Sequence, residues 1–458
     1  MKQENKINVL LGLQWGDEGK GKIIDYLTKN YDIIARFQGG PNAGHTIEFE
    51  GKKYILHLIP SGIFHPDKIN LMGNGMVICP IAFQKEVEEL AQDIPLEELK
   101  KRIVISNRAN LIMPTHRLLD CINEKSKGDK KIGTTGKGIG PAYSDHTSRI
   151  GLVVGDIDNN DFAIKSSALN KKHLEILKDH DVDMDALTKE NYQFLTAAKF
   201  MQEFEFVNGP YWIDKQLNTG KKILAEGAQG TFLDIDHGNY PFVTSSNTTI
   251  GGVCTGLGVS AHRIGKVYGL FKAYCTRVGA GPFPTELGGE ESDEWCATKK
   301  VEDENTQYPD PDINSSDPFI QGIALRRKGS EFGATTGRLR RTGWLDLPAL
   351  KYACMINGVT DLIISKADVL SGLKTVRIYE THIEGDEYAN EQAVMGNQKP
   401  NHPVFRIFGG WENNLRKKKR YIDLPLNLTK YLEYIQRETE RPIVLISTGP
   451  DRSEMIFH

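Results

Sequence analysis

One stretch near the start of the chain, INVLLGLQWGDEGKGKIIDYLTKN (residues 7–30), narrows the fold more than any other. A short apolar run breaks into a loop with three glycines and two lysines, and a helical pattern follows at once. That order predicts a buried strand, a tight turn and a helix whose first N–H groups, with its dipole, face an anion. Residues 16–23, GDEGKGKI, spell G-x-x-x-x-G-K with Ile23 where a magnesium-ligating Ser or Thr is usual. Asp17 inside the loop is a hard oxygen donor and a candidate to take over metal binding and proton transfer. Lys20 and Lys22 supply positive charge.

Four further apolar runs have the same character: 32–37 (DIIARF), 222–227 (KILAEG), 360–365 (TDLIIS) and 442–447 (PIVLIS). Runs this short, rich in Ile, Val and Leu and leading into polar loops, suit parallel strands buried on both faces. Helix-like stretches lie at 81–92 and 346–357. The expected fold class is α/β: a single large domain around a mainly parallel β-sheet, with a P-loop-like nucleotide-binding loop, helical additions, and ligand loops at the carboxyl ends of strands. A chain of 458 residues nominally suggests about three domains, but the spread of motifs over its whole length favours one unit, 1–458. Residues 158–206 are charged and helix-prone and are expected as a helical addition. Residues 288–322 are acidic and poor in apolar residues, and are expected as a loop insertion, a surface excursion or mobile loop.

A net charge of −3 gives no sign of a polyanion-binding surface. LRKKKR (415–420) therefore reads as a solvated run. The apolar stretch at the start is too short for a signal peptide, and no run approaches the ~18 apolar residues of a membrane helix. Six scattered cysteines without C-x-x-C spacing point to reduced thiols in a cytoplasmic protein.

ISKAD (364–368) follows a strand run and approximates the guanine-reading N/T-K-x-D element, with Ser365 at its first position. Asp368 can accept from guanine N1–H and its amine, and the stem of Lys366 can cover the ring. STGPDR (447–452) ends another buried run, as a second base-side loop would. These features make a GTP-binding switch the alternative class, but such a protein also needs a D-x-x-G element, and the chain has none. The remaining polar loops exceed what a switch needs: GGPNAGHT (39–46), IGTTGKGIGPAYSDHTSR (132–149), EGAQGTFLDIDHGNYPFVTSSNTT (226–249) and GATTGRLRRTGW (333–344). TTGKG is a second anion-cradle candidate, and Arg338, Arg340 and Arg341 suit phosphates and carboxylates through bidentate pairing. His45 is a candidate acid or base. Together they call for a nucleoside triphosphate, a nucleotide monophosphate and an acid in one site.

GDEGKGK, GPNAGHT, IGTTGKGIGPAY, EGAQGTFLDIDHGNYPFVTSSNT, GPFPTE, TTGRLRRTGW and ISTGPDR, in this order over nearly the whole chain, resemble the adenylosuccinate synthetase family. The resemblance implies GTP- and Mg²⁺-dependent ligation of IMP to L-aspartate through a 6-phosphoryl intermediate, in a homodimer. It implies Asp17, His45, Lys20 and Gln229 as catalytic residues, with Asp17 as base and His45 stabilising charge, and Asp17 and Gly44 as metal ligands. GTP would lie on Gly16, Asp17, Glu18, Gly19, Lys20, Gly21, Lys22, Gly44, His45, Thr46, Arg340, Lys366, Ala367, Asp368, Ser447, Thr448 and Gly449. IMP would lie on Asp17 to Lys20, Asn42, Ala43, Gly44, His45, Thr135, Gln229, Thr244 and Arg338, with Arg149 delivered by the partner subunit. Ala334, Thr335, Thr336, Gly337, Arg338 and Lys137 would hold aspartate. The chain departs from the family pattern with Lys137 in place of Arg, which loses the bidentate fork, with Ala367 in place of Leu, and with a longer 288–322 stretch.

Overall fold

The computed structural model describes residues 5–128, 132–333, 337–381, 394, 403–412 and 414–458. Ten strands form its main sheet: β1 (Ile7–Gly12), β2 (Ile33–Arg36), β3 (Ile69–Met72), β4 (Ile103–Ser106), β5 (Glu205–Val207), β6 (Ile223–Glu226), β7 (Ile264–Lys272), β8 (Asp361–Ser365), β9 (Ile443–Ser447) and β10 (Met455–Phe457). Their order is β10-β9-β8-β7-β1-β6-β2-β3-β4-β5. Every pairing is parallel except β9 with β10. The α/β fold with a mainly parallel sheet is as expected.

Side chains alternate between two apolar layers. Val9, Leu11, Ile33, Ala35, Ile223 and Ala225 join the larger core on one face. Leu10, Ile34 and Leu224 meet Ile23 and Ile24 of helix α1 (Lys20–Thr28) on the other. Because both faces are covered, these strands read as continuous apolar runs. The five runs marked in the sequence are β1, β2, β6, β8 and β9, and the helical stretches are Pro80–Leu90 and Leu347–Asn357.

Five of the inner strands end in a buried polar residue: Arg36 on β2, Glu226 on β6, Lys272 on β7, Ser365 on β8 and Ser447 on β9. Charged groups set into the carboxyl edge of a parallel sheet mark where its ligands bind. Helix α2 (Pro114–Ser126) packs against both α3 (Ile139–Thr147) and α4 (Phe162–Ile176).

Two expectations need correction. The 158–206 addition is helical at Phe162–Ile176 and Met184–Met201, but the chain then enters the sheet, because Glu205–Val207 is its edge strand. The 288–322 stretch is not a loop excursion: it carries helices at Gly289–Thr298 and Val301–Gln307 and the start of Pro318–Lys328. What its composition hides is a small core. Trp295, Tyr308 and Phe319 pack edge to face with ring centroids 5.5 to 5.9 Å apart, and fully buried Glu304 pairs with buried Arg326 and accepts from Trp295 Nε1 at 3.1 Å.

Candidate active site

Gly16, Asp17 and Gly19 all take positive φ, at 86°, 59° and 93°. For Asp17 this costs on the order of 1 kcal/mol. The turn wraps the loop around the start of α1, where no described side chain caps the free N–H groups. Those donors stay available to an anion. Glu18 is fully buried and shapes the turn from inside: its Oε1 accepts from the N–H of Gln14 (3.1 Å) and Gly16 (3.0 Å), and its Oε2 from Lys20 Nζ at 2.5 Å. Glu18 thus enters the loop through its backbone, with its carboxylate as scaffold.

His45 begins the hairpin Ile47 belongs to, His45–Phe49 with Lys52–Leu56. The hairpin lies against α1 because Gly21 lets it: a Cβ there would stand 3.0 Å from that of His45. His45 Nδ1 bonds Glu226 Oε1 at 2.5 Å, and Ser61 holds the same carboxylate through its N–H (2.8 Å) and hydroxyl (2.6 Å). Burial lowers the His45 pKa despite Glu226. Burial thus favours the neutral ring, with its proton on Nδ1 toward the carboxylate, and among the described residues Nε2 is buried without a hydrogen-bond partner. Gln229, at φ 56°, likewise buries both side-chain amide atoms without partners, as does Arg36 its Nε and Nη2. A Cβ at Gly39 would sit 3.3 Å from Gln229 Oε1 and 3.7 Å from Arg36 Nη2, so both side chains reach the space over Gly39. An unsatisfied buried polar group costs about 1–3 kcal/mol, so this cluster is built to be satisfied by a ligand. Asn42 Nδ2 reaches Thr244 Oγ1 at 3.5 Å and joins the 39–46 and 226–249 loops.

On the other side of the first loop, Arg340 stands between two acids, with Nε 2.8 Å from Asp17 Oδ2 and Nη1 2.7 Å from Glu331 Oε2. Fully buried Glu331 also takes Lys272 Nζ at 2.9 Å and the Tyr274 hydroxyl at 2.6 Å, with Lys366 Nζ 3.7 Å away. Burial would raise its pKa, but Lys272, Lys366 and Arg340 hold it well below the usual carboxylate range. The base-side loops are tied in as well. Ser365 donates to the carbonyl of Glu18 at 2.7 Å. Lys22 Nζ donates to Ser447 Oγ (2.8 Å) and the Gly449 carbonyl (2.5 Å), so its ammonium anchors the 447–449 loop. Asp368 is half-buried, Ala367 is fully buried with Trp411 Nε1 on its carbonyl at 3.3 Å, and Thr448 Oγ1 is buried without a partner.

The Asp17 carboxylate, 38% exposed, and the carbonyl of half-buried Gly44 are oxygen donors of the hard type a divalent cation takes.

Thr135 and Arg149 are exposed, and Lys137 is half-buried near His57. Arg338 Nη1 approaches the Gly133 carbonyl at 3.5 Å and its backbone bridges Lys300. Ala334, Thr335 and Thr336 lie outside the described residues; Gly337 follows them at φ 63°. Arg341, grouped with the anion-binding arginines on sequence, is committed elsewhere: its Nε donates to Glu286 Oε1 at 2.9 Å and its Nη1 to the Gly281 carbonyl at 2.8 Å. Sequence reasoning missed Glu226, Glu331, Lys272, Arg36 and Ser61. Glu226 opens EGAQG and Glu331 directly precedes FGATTGR, so adjacency to a motif was the available signal.

The family described as Adenylosuccinate synthetase matches residues 9–456. Among curated relatives, the adenylosuccinate synthetase of Christiangramia forsetii is 48% identical over 454 residues, 98% of this chain and 99% of that protein. That of Porphyromonas gingivalis is 48% identical over 453 residues, 99% of each. Among solved structures, fully ligated adenylosuccinate synthetase from Plasmodium falciparum is 36% identical with a TM-score of 0.85, covering 99% of this chain and 100% of that one. The succinoaminodeoxyadenylate synthetase of cyanophage S-2L, 18% identical with a TM-score of 0.57, shares the fold.

Proposed function

This chain belongs to the adenylosuccinate synthetase family, and from that premise we propose how its own residues divide the reaction. The protein is a GTP- and Mg²⁺-dependent ligase that joins IMP and L-aspartate into adenylosuccinate, releasing GDP and phosphate. A switch-type GTPase is not favoured.

Asp17 takes the N1 proton of IMP, and O6 attacks the γ-phosphorus of GTP in line, with GDP leaving. Asp17 and the Gly44 carbonyl would hold Mg²⁺, which would supply positive charge to the phosphates. Charge then builds on the transferring oxygens, where catalysis is mainly positioning and electrostatic stabilisation. His45 meets that charge at Nε2: an anion there favours proton uptake by the ring, and Glu226 on Nδ1 stabilises the imidazolium. Gln229 offers its buried amide to the same group. The amine of aspartate then displaces the 6-phosphoryl group at C6, its carboxylates met by Arg338 and Lys137. Arg340, Lys366, Asp368 and the 447–449 loop take GTP, and Glu331 fixes Arg340 beside Lys366. Lys20 neutralises Glu18 and lends charge to the α1 N-terminus.

We further propose a homodimer in which Arg149 serves the partner's IMP site, and residence in the cytoplasm, in keeping with six free cysteines. Arg149 is exposed and non-glycine at φ 62°, and such strain is a pointer to function. The observation that carries the whole reading is the buried His45–Glu226 pair, whose Nε2 has no hydrogen-bond partner among the described residues. The test is the absorbance change on mixing protein with IMP, GTP, Mg²⁺ and L-aspartate, each omitted in turn. A signal requiring all four is expected; GTP hydrolysis indifferent to IMP and aspartate would overturn it.

A further inference from the structure

Outside the loops just described, His116, Asp145 and His173 bring three ligand-type atoms within 4.8 Å of one another. His116 Nε2 lies 2.8 Å and His173 Nε2 2.9 Å from the same atom, Asp145 Oδ2, and both imidazoles are 1% exposed. The spacing would suit a metal ion, but the hydrogen bonds do not. The Met113 N–H donates to His116 Nδ1 at 3.0 Å. That lone pair is taken, the ring proton is on Nε2, and an Nε2–H donates to a carboxylate instead of ligating a cation. Thr115 Oγ1 holds His173 Nδ1 at 2.6 Å. Partial burial works to raise the Asp145 pKa, yet the two imidazoles hold it well below the usual carboxylate range. The cluster is a hydrogen-bonded brace in which α2, through His116, and α4, through His173, grip one carboxylate of α3.

The same residue closes the end of α3. The Asp145 carbonyl accepts from the N–H of Ile150 (3.0 Å) and Gly151 (3.2 Å), and the His146 carbonyl from that of Arg149 (3.0 Å). This is the Schellman pattern, with Arg149 in the left-handed position that glycine usually fills. Asp145 thus links two buried histidines to the turn that presents Arg149.

We propose that Asp145, gripped by His116 and His173, is a positioning residue for Arg149 and so acts on the partner's active site. This rests on the reading of Arg149 as a residue supplied in trans. The test is kinetic and uses the full-length protein. Asp145→Asn should lower kcat/KM for IMP by about tenfold or more while KM for GTP stays within about twofold. Mixed with Asp17→Ala and allowed to exchange subunits, it should regain up to about a quarter of wild-type specific activity, because half the dimers are hybrids with one intact site of two. Arg149→Leu mixed with Asp17→Ala is the control. Wild-type kinetics for Asp145→Asn, or no regain where the control regains, would overturn the proposal: Asp145 would then matter only to its own subunit or not at all. No regain in the control either would remove the partner-site reading, and this inference with it. Should Asp145→Asn fail to fold, His173→Asn, which removes one of the two donors, goes through the same mixing with the same outcomes.

Discussion

His45 owes its chemistry to Glu226, a residue 181 positions away that fixes its tautomer and leaves Nε2 open. Glu226→Gln keeps the shape but removes the charge that stabilises an imidazolium, so kcat should fall by about 10²-fold with little change in KM for aspartate. Steady-state kinetics with each substrate varied checks this. Arg149 carries the opposite kind of cost: its left-handed backbone would suit glycine better by about 0.5–1 kcal/mol. Arg149→Gly should therefore unfold no more readily in urea than wild type, and by up to that amount less readily, while ligation is lost. Lys22 makes a pH prediction. Burial lowers its pKa from 10.5 to about 8 in the folded chain, so between those values the unfolded state binds the extra proton and stability rises with pH. Urea denaturation of wild type and Lys22→Met should show wild type gaining relative to the variant from pH 8 to pH 10. A constant difference would mean that burial does not lower the Lys22 pKa.

At the scale of elements, the helices around 289–307 are held by a charge in an apolar setting. Glu304→Ala would leave Arg326 buried without its acid, and Arg326 also donates through Nε to the Arg340 carbonyl at 2.6 Å. A loss of about 3–5 kcal/mol in urea denaturation is expected, with a rise in KM for aspartate because Lys300 bridges Arg338. Composition concealed this unit. Its apolar residues are few, and the three rings that matter are brought together from 295, 308 and 319 only by the fold. Five of the eight inner strands were legible because strands covered on both faces cannot alternate; β3 and β4 are only four residues each, β7 is broken by Gly265, Lys266 and Gly269, and the edge strands β5 (Glu205–Val207) and β10 (Met455–Phe457) are three residues each, so none of these left such a signature. The site divides the same way. Glycine-rich loops announce themselves by spacing, whereas Glu331, Lys272 and Arg36 act through partners distant in sequence, and Arg341 has the same residue type as Arg340 but faces Glu286.

For the whole molecule, the sheet serves to hold in register loops that arise from nearly the full length of the chain. Asp17, His45, Gln229, Arg340 and Ser447 converge on the carboxyl edge of neighbouring strands, so phosphoryl transfer and amine attack can share one centre. In the proposed reaction IMP is phosphorylated at that centre before aspartate reacts. Its most direct test is positional isotope exchange: GTP labelled with ¹⁸O in the β–γ bridge is incubated with the protein, Mg²⁺ and IMP, without aspartate, and the label is followed by ³¹P NMR. Scrambling of the bridge oxygen into the β-nonbridging positions is expected, and it should need IMP and disappear in Asp17→Ala. No scrambling with IMP present in a protein that ligates when aspartate is added, or scrambling that proceeds without IMP, would contradict the proposed reaction.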